Sequence, residues 1–104
     1  MSEQNIEKES KGKKIGIEFP SSLKGGVYSN SMVVSHTREE FIMDFMMVAP
    51  PTGAVIARII MSPGHLKRVI SALRDNLSKY EKKFGSIEAA AEPPAPKGKM
   101  GFIK

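Results

Sequence analysis

The sequence lacks cysteine and tryptophan altogether and holds only two tyrosines, five phenylalanines and two histidines in 104 residues. Without cysteine there is no disulfide framework, thiolate zinc site, iron–sulfur cluster or cysteine nucleophile. Long apolar runs are missing as well. No window approaches the ~18 to 20 apolar residues of a membrane helix, and the first ten residues lack the apolar stretch of a signal peptide, so a cytoplasmic protein without membrane contact is expected. Acidic side chains are the scarcer charge, 11 against 16 Lys+Arg, for a net +5. That balance raises nucleic acid as a partner and makes the placement of the cations matter. What is present, 40% apolar and 26% charged residues, is material for one small core.

Composition divides the chain in three. Residues 1–26 mix Glu, Lys, Ser and Gly with few large apolar side chains and read as a flexible arm. Inside it Ile15, Ile17 and Phe19 alternate, the pattern of an added edge strand or a docking segment. Residues 27–87 carry the folded unit. Residues 88–104 are an Ala/Pro-rich linker and a basic, apolar tail, where Met100, Phe102 and Ile103 form a candidate docking peptide on a flexible spacer for a protein partner.

Within 27–87 a period of two predicts strands over 27–36, 40–49 and 54–61. Thr37-Arg38-Glu39 joins the first pair. Pro50-Pro51-Thr52-Gly53 joins the second, with two fixed φ angles and a glycine tolerant of positive φ. Setting Val34 opposite Phe41 gathers Tyr28, Asn30, Met32 and Val34 with Phe41, Met43, Phe45 and Met47 on one face. Setting Asp44 opposite Arg58 pairs two opposite charges and puts Met46 across from Ile56 and Val48 across from Ala54.

A helix follows. Ser62 is an N-cap, Pro63 loses nothing at the first helical position, and Gly85 behind Lys82 and Lys83 is a stop with cations at the negative end of the dipole. Between them Leu66, Ile70, Leu73, Leu77, Tyr80 and Phe84 recur at alternating spacings of four and three, and Val69 widens the stripe. The expected fold class is α+β: a three-stranded antiparallel β-meander followed by one long amphipathic helix, dimeric, with flexible tails.

The dimer is expected because three strands and one helix lie near the lower size of a self-sufficient core. If the helix covers one sheet face, the other still presents Val33, Ile42, Asp44, Met46, Val48, Ile56, Arg58 and Ile60 as a candidate interface. An edge strand and the helix seam are further surfaces for a symmetry mate. The alternative is a monomer closed by its own tails.

Chemical motifs are sparse. His36 and His65 have no carboxylate or second histidine at metal-ligand spacing. Lys24-Gly25-Gly26 and Lys11-Gly12-Lys13-Lys14 lack the spacing of a phosphate loop. Asp44 with Arg58 reads as a cross-strand salt bridge in preference to an anion site. Asn30, on an apolar face, needs hydrogen-bond partners, and a ligand pocket of Tyr28, Asn30 and His65 is the weaker alternative. Residues 63–85 carry six cations, Lys67, Arg68, Arg74, Lys79, Lys82 and Lys83, against two anions. They form a solvated face, or in the alternative a sequence-independent nucleic-acid contact. No aromatic lies among them to stack bases. The expectation is therefore a non-enzymatic, self-associating interaction protein with no catalytic residue, cofactor or metal.

The succession Tyr28-Ser29-Asn30, Glu40-Phe41-Ile42-Met43-Asp44-Phe45, Ala57-Arg58-Ile59-Ile60-Met61-Ser62-Pro63 and Leu73-Arg74-Asp75-Asn76-Leu77-Ser78-Lys79-Tyr80-Glu81-Lys82-Lys83-Phe84-Gly85 resembles a family of small prokaryotic proteins catalogued as a domain of unknown function. The resemblance spans about residues 27–87. It implies a β-meander with a helix and variable tails, and it carries no catalytic or ligand residues.

Overall fold

A computed structural model describes residues 5–10 and 13–91. Strands β1 (Asn5–Ser10) and β2 (Lys13–Glu18) form a two-stranded antiparallel sheet in which Ile6 lies opposite Ile17 and Lys8 opposite Ile15. The flexible-arm expectation for residues 1–26 is thus corrected over this stretch. Ile15 and Ile17 do belong to a strand, but its partner is β1, which composition hides because Asn5–Ser10 contains a single apolar residue. A short 3-10 turn at Ser21–Leu23 and Gly26 at φ 69° lead on to the meander.

The meander is β3 (Ser31–His36), β4 (Phe41–Ala49) and β5 (Thr52–Met61), antiparallel throughout and in that spatial order. The first hairpin is tighter than expected. Thr37 Oγ1 accepts from the backbone N–H of Glu39 at 3.2 Å and of Glu40 at 3.1 Å, and the Thr37 N–H donates to the Glu40 carbonyl at 2.9 Å. His36 therefore faces Phe41, their rings 5.3 Å apart, and Val34 faces Met43 instead of Phe41. The slip is two residues, so every side chain keeps its face.

The second hairpin obeys two constraints that differ by one residue. Asp44 lies opposite Arg58, as expected, while the turn is only Pro50-Pro51, joined by a cis peptide, and sets Ala49 opposite Thr52. A continuous ladder satisfies one of these or the other. The strand resolves the conflict with a bulge between the Phe45–Ala57 and Met46–Val55 pairs, which makes Ile56 the extra residue. Met46 consequently meets Val55, not Ile56, and Val48 meets Gly53, not Ala54. Gly53 is a strand residue outside the positive-φ region, so the four-residue turn is corrected to two.

Helix α1 (Pro63–Phe84) starts and stops where its caps dictate. Ser62 Oγ accepts from the His65 N–H at 3.2 Å, and Gly85, at φ 99°, donates its N–H to the Glu81 carbonyl at 2.9 Å. Its 22 residues span ~33 Å. It does not cover the meander: none of its residues is buried. The core of the described chain comes down to Met43 and Met46, 9% and 7% exposed, with Asp44 at 4%.

Candidate functional site

The candidate interface on the meander is built in rows across three strands. Val33, Asp44 and Arg58 form one row, and Ser35, Ile42 and Ile60 the next. Asp44 lies on the middle strand, with a neighbour on each side, and Arg58 on the edge strand β5. Arg58 Nε donates to Asp44 Oδ1 at 2.6 Å and Arg58 Nη2 to Oδ2 at 2.9 Å, a bidentate pair. The hydrogen bonds from Arg58 hold the Asp44 carboxyl below its ordinary 3.8, outweighing burial, which acts the other way. The Asp44 side chain is 5% exposed and that of Arg58 54%, so the guanidinium shields the carboxylate while its own outer edge meets solvent.

Exposure redistributes the expected interface. Asp44 and Met46 are closed off within a single copy, and Val33, Ile42, Val48 and Ile56 are half-buried, whereas Ile60 and Arg58 are open. The opposite face, expected beneath the helix, is open instead at Met32, Val34, Met47 and Ile59. Sequence reading missed these because it assigned the only helix as their cover.

The helix stripe is a further open apolar surface. Leu66 and Val69 are half-buried, but Ile70 is 41% exposed, Leu73 65%, Leu77 47%, Tyr80 47% and Phe84 65%. Tyr80 and Phe84 stack with centroids 4.9 Å apart, and Lys83 Nζ lies 5.5 Å from the Phe84 ring. The six helix cations, Lys67, Arg68, Arg74, Lys79, Lys82 and Lys83, are all exposed. Arg68 reaches His65 Nδ1 at 3.1 Å. Glu81 interrupts the cations and accepts the Ile87 N–H at 2.9 Å.

Asn30 is not on the apolar face. Its Nδ2 donates to the Val48 carbonyl and its Oδ1 accepts the Val48 N–H, both at 2.9 Å, while its own N–H donates to the Met46 carbonyl at 3.0 Å. The side chain therefore extends the β3–β4 ladder beyond Ser31, and the pocket of Tyr28, Asn30 and His65 is not formed. Tyr28 is 80% exposed, outside any strand. His36 stacks on Phe41 and His65 opens the helix, two different settings. Among the described residues no three of His, Asp and Glu gather as a metal site, and no described helix is long and apolar enough to cross a membrane. The candidate docking residues Met100, Phe102 and Ile103 lie outside the described residues.

Over residues 1–89 the chain matches the family described as Protein of unknown function (DUF3467), a match that takes in the β1–β2 hairpin as well as the meander and helix. No curated protein and no solved structure matches the chain.

Proposed function

The chain belongs to this family, DUF3467, and from that premise we propose that it is a small, non-enzymatic assembly protein of the cytoplasm that works as a homodimer. One observation carries the reading: Met43 and Met46 are the only apolar residues buried among those described, while large apolar groups on both sheet faces and along the helix stand open. At ~25 cal/mol per Å² of apolar surface, a core of two methionines does not offset the ~1–2 kcal/mol per residue of backbone ordering. A second copy supplies the missing cover without any new sequence. Light scattering on the full chain tests this. The expected mass is twice 11.4 kDa, and a single-chain mass across the accessible concentration range contradicts it.

The second reading, non-specific nucleic-acid binding, rests on the six exposed cations of α1. It predicts a mobility shift that weakens steeply with salt and a shallower salt slope once Lys82 and Lys83 become Gln. The carboxylates of Asp75 and Glu81 on the same helix weigh against it.

A further inference from the structure

Building on the homodimer proposed above, we infer that the helix is the dimer seam and that α1 pairs antiparallel with α1 of a second copy, about a two-fold axis passing beside Asp75. The stripe positions are symmetric about residue 75. Leu73 and Leu77 lie two residues from it, Ile70 and Tyr80 five, Leu66 and Phe84 nine. An antiparallel mate therefore brings Leu73 to Leu77, Ile70 to Tyr80 and Leu66 to Phe84, so that each aromatic ring meets an aliphatic side chain. A parallel mate sets Tyr80 on Tyr80 and Phe84 on Phe84 instead.

The flanks of the stripe select between the two directions. In the antiparallel pair Lys67 of each copy faces Glu81 of the other, giving two opposite-charge contacts, and the helix dipoles oppose. These residues lie fourteen positions apart on one helix, ~21 Å along its axis, so they meet only between copies. Both are placed for it: Lys67 is exposed, and Glu81 uses Oε2 for the Ile87 N–H, leaving its other oxygen to a partner. Arg74 faces its own mate near the axis, a like-charge approach that a long side chain relieves by turning its guanidinium into water. A parallel pair sets Val69 beside Arg74 and Asn76 beside Glu81, with no opposite charges matched.

Area is consistent with this occupant. The open fractions of Ile70, Leu73, Leu77, Tyr80 and Phe84 correspond to roughly 500 Å² per copy, against ~800 Å² per partner in a standard stable interface. The remainder comes from the helix ends, where each Phe84 reaches the partner's Leu66, four residues after the Ser62 cap. A peptide ligand or nucleic acid on the same stripe would leave this palindrome of contacts unused.

The test exploits the absence of native cysteine. Spin labels are placed one at a time at R68C, D75C and K82C in the full chain, three positions seven residues apart on the helix face away from the stripe, and distances between copies are read by pulsed dipolar spectroscopy. The antiparallel seam predicts the shortest distance at 75 and longer, mutually equal ones at 68 and 82, because the labels there separate by ~21 Å along the axis. Three equal distances, a steady trend along the helix, or no coupling in a protein whose mass is that of a dimer overturns the antiparallel seam and leaves the homodimer standing. A single-chain mass overturns both.

Discussion

At the scale of single residues the bidentate pair of buried Asp44 and exposed Arg58 contributes to acid sensitivity. Asp44 accepts two hydrogen bonds from Arg58, and its carboxyl titrates below the ordinary 3.8. Above about pH 5 the folded and unfolded chains are both almost fully ionised there, and the contribution of the pair to stability is nearly complete. As the pH falls through 3.8 the unfolded chain takes up its proton first, so that contribution is lost progressively down to the folded value. Arg58→Ala removes the hydrogen bonds together with the guanidinium that shields the carboxylate. The Asp44 titration, followed by the NMR shift of its carboxyl carbon, is then expected to move up toward 3.8 and the acid-unfolding midpoint to rise with it. An unmoved titration would mean that Arg58 does not set the protonation of Asp44. Asn30 teaches a different lesson at this scale. Alternation placed it on an apolar face, but an amide has a donor and an acceptor side by side, and here both close on the backbone of Val48.

At the scale of elements the bulge at Ile56 follows from a conflict between the two-residue turn and the Asp44–Arg58 register. Deleting Ile56 removes the conflict. The shortened chain is expected to keep both the Ala49–Thr52 turn and the Asp44–Arg58 pair in one continuous ladder, at a cost of about 1 kcal/mol for a half-buried isoleucine. Amide exchange and cross-strand NOEs check it, and loss of protection at either end of the hairpin contradicts it. What was legible in the sequence divides along the same lines. Helix α1 was legible to the residue because its signals are local: Ser62 and Pro63 at one end, Gly85 at the other, and a stripe in between. The meander and the Asp44–Arg58 pairing were legible from alternation and charge. The exact registers were not, since period two fixes a face but leaves slips of two residues open, and the side-chain bonds of Thr37 that settle the first hairpin compete with several equally local alternatives. Strand β1 carried no signal of its own, because Asn5–Ser10 becomes a strand only through pairing with β2.

At the scale of the whole molecule the length of the chain was the informative quantity. A small α+β unit was expected to cover one sheet face with its helix and leave the other to a partner. The structure leaves the helix uncovered too, with Leu73 and Phe84 each 65% exposed, so the deficit is larger than the sequence implied and falls on both the sheet and the helix. The candidate surface is correspondingly broader than the eight residues of the meander, and the stripe on α1, expected as a core face and as one further surface for a symmetry mate, stands open along most of its length. If a second copy supplies the missing core, folding and association are one equilibrium, and stability depends on protein concentration by mass action. The most direct measurement is the thermal midpoint of the full chain over a hundredfold range of concentration. The account predicts a midpoint that rises steadily with concentration, and a midpoint independent of concentration, with a single-chain mass at every point, would contradict it.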